Sequence, residues 1–168
     1  FSHPAKFVLV GSMNPEEGSL RPQLLDRFGL CVDITGEKDV ETRMEVIERR
    51  MEFDIDPESY IDGCTKEIEE MRDMIIKARE LLPQVEVSKD IIHDIVMTSI
   101  HFKMEGHRAD ITMMRAAKAN AALDGRKEVD KDDLRSVAAL VLSHRMRRRP
   151  FEESSFDYEE LDRCLQSI

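Results

Sequence analysis

The stretch Phe7 to Leu30, FVLVGSMNPEEGSLRPQLLDRFGL, sets an apolar run, a polar end and a short arginine-bearing segment in immediate succession. Phe7 to Val10 is a continuous apolar run closed by Gly11, which reads as an inner strand covered on both faces of a sheet. Asn14 then stands just past the carboxyl end of that strand, where doubly wound α/β sheets bind their ligands. Pro22 suits the first position of a helix, and Arg27 projects from that helix. An inner strand needs neighbours on either side. The expectation is that they come from residues upstream of Phe1, so that the chain opens in mid-domain. Downstream, Leu30 to Ile34 reads as a second short strand that ends in a turn at Gly36.

The 168 residues are 41% hydrophobic and 36% charged, the balance of a helix-rich soluble protein with room for one or two domains. A formal net charge of −10 argues against broad binding to a nucleic-acid backbone, so nucleic acid is not expected as a partner. No apolar run reaches membrane-spanning length and no signal-peptide pattern opens the chain, so no membrane partner and an intracellular location are expected. Cys31, Cys64 and Cys164 show neither a C-x-x-C pair nor even spacing, which predicts reduced thiols rather than a zinc site or disulfide framework. His93 and His101 invite a metal hypothesis, but no carboxylate or cysteine pattern completes a ligand set, and no metal site is expected.

Beyond the second strand the pattern is helical. Asp39 is a candidate N-cap for a helix whose face carries Val40, Met44, Ile47 and Met51. Asp54 to Pro57 interrupts it, and the domain boundary is expected there, dividing residues 1–53 from residues 54–168. Ile61, Cys64, Ile68, Met71, Ile75, Ala78 and Leu82 alternate threes and fours along a long amphipathic helix that Pro83 terminates. Ser88 caps a helix bearing Ile91, Ile92, Ile95, Val96 and Ile100, with Gly106 as its stop. Thr112 to Leu123 is an alanine-rich helix ended by Gly125, and Asp130 caps a last long helix bearing Leu134, Val137, Ala138 and Val141. The run His144 to Arg149 is read as cations suited to a helix C-terminus. After it, either Ser154 or Asp157 starts a short terminal helix through Cys164 and Leu165, or the acidic segment is partly disordered.

The opening motif resembles the ATPase subunit of magnesium chelatase, a member of the AAA+ family. The likeness continues through DVETRMEVIERR, ARELLP, HRADITMMRAAKANAALDGR and LSHRMRRRP. It implies a mainly α chain: the end of an AAA+ α/β core, with two short strands and helices, followed by an all-α helical-bundle lid. It implies that Asn14 is sensor 1, with its amide holding an attacking water near the γ-phosphate. Arg27 takes the place of the arginine finger that reaches a neighbouring subunit's nucleotide, with Arg21 assisting at that interface. The competing reading of Arg27 is a surface ion pair with Asp26, worth about 0–1 kcal/mol. Arg108 matches sensor 2, the lid arginine that senses the γ-phosphate, and Arg115 is a secondary candidate expected to bind locally.

By the same resemblance, the full-length protein is an ATPase using ATP and Mg2+ to drive metal insertion into a tetrapyrrole, protoporphyrin IX. It works as a homo-oligomeric ring, expected to be a hexamer, with other chelatase subunits, in the cytoplasm or a plastid stroma. No G-x-x-x-x-G-K-[ST] phosphate loop occurs in the 168 residues, so the chain alone is expected to be inactive. A cobalt-chelatase-type ATPase, a DNA-remodelling AAA+ module and a non-catalytic interaction module are the alternatives.

Overall fold

A computed structural model describes residues 4–5, 7–14, 18, 20–146 and 156–168. Its helices are α1 (Pro22–Leu25), α2 (Val40–Ile55), α3 (Pro57–Leu81), α4 (Lys89–His101), α5 (Arg108–Leu123), α6 (Lys131–Leu142) and α7 (Tyr158–Ser167). A 3-10 turn at Leu82–Gln84 follows α3, because Pro83 cannot continue the α-helical ladder. The mainly α architecture is the one expected. Among the described residues no helix is long and apolar enough to cross a membrane.

The two expected strands do not form. Phe7 to Val10 and Leu30 to Ile34 carry no ladder, and Val8 and Val10 are 89% and 88% exposed. A strand is stabilised by pairing its N–H and C=O groups with a neighbour, and the described residues supply none. The second segment is held instead by a bond from Cys31 N–H to the Leu140 carbonyl at 2.8 Å, which ties it to α6.

Capping chemistry sets the helix starts. Asp39, Asp56, Ser88, Asp130 and Asp157 each accept a bond from an N–H of the first turn of α2, α3, α4, α6 and α7 respectively. Asp56 also closes α2, so the break at Asp54 to Pro57 is one residue shared by two helices in an antiparallel hairpin. The terminal helix starts at Asp157; the other candidate, Ser154, lies outside the described residues.

The core sits in the second half of the chain, where α5 and α6 pack on each other and on α3, α4 and α7. Ala109, Met113, Ala117 and Ala121 recur every fourth residue on α5 and are all buried, so the helix presents a narrow, low-relief stripe. Leu134, Val137, Ala138, Val141 and Leu142 of α6 fill against it. From α7, Leu161, Cys164 and Leu165 close one end, and burial pushes the Cys164 thiol pKa up. The stripe of α3 behaves differently from its pattern. Ala78 is buried and Leu81 and Leu82 pack on the core, while Ile61, Ile68 and Met71 are exposed.

One feature of the bundle left no periodic signal. Asp133 is fully buried, and its carboxylate accepts two bonds from Arg126, at 2.6 and 2.8 Å, one from Asn120 at 2.8 Å and one from Asp130 N–H at 2.9 Å. Arg126 also reaches Asp124 and Asp130, each at 2.9 Å. Much of the segment HRADITMMRAAKANAALDGR is thereby explained: Asn120 and Arg126 lock the end of α5 to the capping box of α6. Burial raises the Asp133 pKa most, yet the bonds from Arg126, Asn120 and Asp130 outweigh it and hold the carboxyl below its ordinary value.

Asp133→Ala is expected to cost about 3 kcal/mol, the low end for breaking a buried pair, since Arg126 retains solvent access. For a chain of this length that lowers Tm by roughly 6–12 °C. A depressed carboxylate stabilises above its unfolded pKa of about 4 and ceases to do so as pH falls through its folded value, so Asp133→Asn should flatten the acid limb of stability. Unchanged urea midpoints at pH 7 for Asp133→Ala would remove the network from the account.

Candidate functional site

α1 is a single turn that hands on to the residues bearing Arg27. Arg27 N–H bonds to Leu24 O at 3.0 Å and Phe28 N–H to Leu25 O at 3.1 Å. Four residues of helix have too few internal bonds to hold themselves, so the turn needs outside support. That support comes from the two ends of the α5–α6 hairpin.

Arg108, the first residue of α5, donates from Nη1 to Asp26 O at 3.1 Å and to the Asp26 carboxylate. Beyond the end of α6, Arg145 turns inward. Its Nη2 donates to Phe28 O at 2.7 Å, its Nη1 to Gly29 O at 3.1 Å and to Val141 O, and its Nε lies 3.4 Å from Asp26 Oδ1. His144 Nε2 donates to Phe28 O at 3.1 Å, a tautomer fixed by the carbonyl acceptor, and its buried Nδ1 has no partner among the described residues. Burial, more than any neighbour, pushes the His144 pKa down, so the ring is neutral at pH 7. Burial also lowers the Arg145 pKa, with the Asp26 carboxylate opposing it.

His144 and Arg145 therefore correct the reading of the basic run as solvated helix-end cations. A helix end favours cations but does not say which of them face inward, and here the loop at Phe28 and Gly29 decides it. The remaining arginines of the run, Arg147 to Arg149, lie outside the described residues.

The same geometry excludes the local ion pair considered for Arg27. The Asp26 carboxylate is taken by Arg108 and Arg145, and the Arg27 side chain is exposed with no hydrogen bond or ion pair among the described residues. Asn14 lies on the exposed segment before α1, and that segment passes the turn: a Cβ added to Gly11 would sit 3.7 Å from Phe28 Cζ. On the far side, a Cβ added to Gly29 would sit 3.6 Å from Thr112 of α5. The Arg21 side chain is exposed, while its carbonyl accepts from Leu24 and Leu25 N–H. Arg115 is exposed and makes no side-chain bond among the described residues, so the local partner expected for it is not found there.

His93 and His101 face different partners, Asp94 at 3.5 Å and Glu160 at 3.0 Å. No group of three or more metal-ligating side chains converges among the described residues.

The AAA lid domain family matches residues 92–164, from within α4 to within α7. The lid-like part of the chain, residues 92–164, is thus similar to AAA lid domains. It is 49% identical over 166 residues to the magnesium-chelatase subunit ChlI homolog of Methanocaldococcus jannaschii, covering 99% of this chain and 46% of that protein. It is 45% identical over 166 residues to the magnesium-chelatase 38 kDa subunit of Cereibacter sphaeroides, covering 99% of this chain and 49% of that one. The chain thus spans roughly half the length of the curated relatives it matches. A solved structure of a candidate ATPase from Cytophaga hutchinsonii superposes with a TM-score of 0.63 at 20% identity, over 90% of this chain and 49% of that one, a likeness of fold. The resemblance of the opening motif to the magnesium-chelatase ATPase subunits holds over nearly the whole chain.

In this lid, α5 and α6 form the rigid hairpin, and the Asp26 to Gly29 turn sits across its open end. Two guanidinium groups meet there at one carboxylate, that of Asp26, which precedes the exposed Arg27 in sequence. Both of those groups are engaged, Arg108 by Asp26 and Arg145 by the carbonyls of Val141, Phe28 and Gly29, whereas the Arg27 side chain makes no bond among the described residues. The described residues show no cluster of magnesium ligands and the sequence has no glycine-rich phosphate loop.

Proposed function

We propose that this chain is the C-terminal portion of an AAA+ ATPase subunit of the magnesium-chelatase type, coupling ATP hydrolysis to metal insertion into a tetrapyrrole, protoporphyrin IX. The observation that carries the reading is the exposed Arg27, whose neighbouring carboxylate, Asp26, is already engaged by Arg108 and Arg145. An arginine presented this way has its charge available to a partner. Residues 1–53 are the end of the nucleotide-binding core, and residues 54–168 are the lid with its acidic tail.

Bound ATP with Mg2+ supplies the transferable phosphoryl group. Asn14 orients water beside that group through its amide, since one side chain there both donates and accepts. Arg27 reaches into a neighbouring subunit's site and neutralises charge that grows in the transition state. Arg108 couples the lid to the γ-phosphate by exchanging Asp26 for it, and Arg21 and Arg115 are subsidiary cations at the subunit interface and on the lid surface. The working assembly is a ring of identical subunits, a hexamer, with further chelatase subunits binding porphyrin. The acidic charge of −10 disfavours the DNA-remodelling alternative.

ATP turnover by the full-length protein tests the reading. Asn14→Ala should lower kcat by about a hundredfold, the scale of losing one positioned polar group at a transition state; normal turnover in that variant removes sensor 1 from the reading. The isolated chain, in calorimetry with ATP and Mg2+, should bind more weakly than micromolar. A micromolar Kd corresponds to about 8 kcal/mol, and no phosphate cradle is present in the sequence to supply it. Measuring that affinity on the chain alone would contradict the division of labour proposed.

A further inference from the structure

We propose that Arg145 is a positioning residue that carries the placement of the lid to Arg27, by gripping the backbone of the turn on which Arg27 stands. The proposal rests on the ATPase reading of Arg27 given above.

The turn has few bonds of its own. Its amides at Arg27 and Phe28 close onto the single turn of α1, and its other bonds among the described residues run to the lid: Asp26 to Arg108, Phe28 O to His144 and Arg145, and Gly29 O to Arg145. Cys31 N–H then bonds to Leu140 O of α6. Arg145 is central because its side chain, only 5% exposed, joins the end of its own helix at Val141 O to two successive carbonyls of the turn. A planar fork spans two carbonyls at fixed angles, which a lysine ammonium does not. Movement of α5 and α6 therefore takes the turn with it. Arg27 moves as part of the lid rather than as part of the extended segment before α1. A nucleotide that shifts the lid of one subunit thereby shifts the finger that the same subunit offers to its neighbour.

Two kinds of measurement test this. In hydrogen exchange on the present chain, Arg145→Met should speed the amides of Arg27, Phe28 and Cys31 by tenfold or more and leave the amides of α5 and α6 unchanged. In the full-length protein, the same change should lower kcat by about a hundredfold, as expected for misplacement of a catalytic group by about 1 Å, with nucleotide Kd unaltered. Arg145→Lys should show the same pattern in reduced form, because it keeps the charge and loses the fork. It also serves if Arg145→Met does not fold. The double variant Arg27→Ala with Arg145→Met should be no slower than Arg27→Ala alone, since both act through one guanidinium.

Exchange that accelerates equally throughout α5 and α6 would show Arg145 to be a general support of the bundle and overturn the proposal. So would multiplicative losses in the double variant, or normal kcat in a variant whose turn is loosened while Arg27→Ala is inactive. If Arg27→Ala itself turns over normally, the ATPase reading of Arg27 fails and with it the functional half of this proposal. The exchange experiment still decides whether Arg145 holds the turn.

Discussion

Arg27→Ala in the full-length protein is expected to lower ATP turnover by about a thousandfold or more while leaving nucleotide affinity intact. The size follows from where the residue acts. A finger arginine meets charge that develops only as the phosphoryl group transfers, so its removal raises the barrier without weakening the ground state. The structure makes the change clean. Arg27 is exposed and bonds to nothing among the described residues through its side chain, while Asp26, Phe28 and Gly29 are anchored to the lid independently. Truncating Arg27 should therefore leave the turn in place, with melting temperature close to the parent's. A variant that retains parental kcat, or one that loses nucleotide affinity in step with kcat, contradicts the assignment.

Arg108→Ala should also silence hydrolysis in the full-length protein, by about a hundredfold, and should weaken nucleotide-dependent assembly. Its cost to stability should be small. The ion pair with Asp26 is half exposed on both sides, and such pairs contribute about 0–1 kcal/mol. The packing that holds α5 lies on another face, at Ala109, Met113, Ala117 and Ala121. Arg115→Ala, which removes no side-chain bond among the described residues, should be much milder. Circular-dichroism melting together with ATP turnover separates the two roles. A large drop in Tm for Arg108→Ala, with normal turnover in the folded fraction, would make Arg108 a structural anchor for Asp26 and nothing more.

Helices and their starts were legible because their causes are local. Asp39, Ser88 and Asp130 cap where a side-chain oxygen can reach an N–H of the first turn, and three- and four-residue spacing marks the face of α6 at Leu134, Val137, Ala138 and Val141 whatever surrounds it. The strands at Phe7 and Leu30 were not legible in the same sense. Apolar composition favours a strand only when a neighbour completes its hydrogen bonds, and that information lies outside the segment. Long-range polar contacts were missed for a related reason. Nothing in the order of residues says that Arg145 turns inward while its neighbours belong to the same basic run, or that Asp26 pairs with Arg108, distant in sequence, rather than adjacent Arg27. The Arg126–Asp133 network left a faint trace, an acidic N3 residue three positions after an acidic N-cap, which signals a capping box but not its arginine. At the site, motif resemblance singled out Asn14, Arg27 and Arg108, and geometry added Asp26, His144 and Arg145 as the groups that place the last two.

Whether Arg27 serves a neighbouring subunit is tested most directly by mixing two inactive full-length variants, Arg27→Ala and one whose phosphate loop is disabled. If the finger acts across the subunit boundary, mixed rings contain interfaces in which an intact phosphate loop faces an intact Arg27, and ATP hydrolysis should return in proportion to those interfaces. Hydrolysis that stays at background at every mixing ratio, with mixed assembly confirmed, would contradict the account.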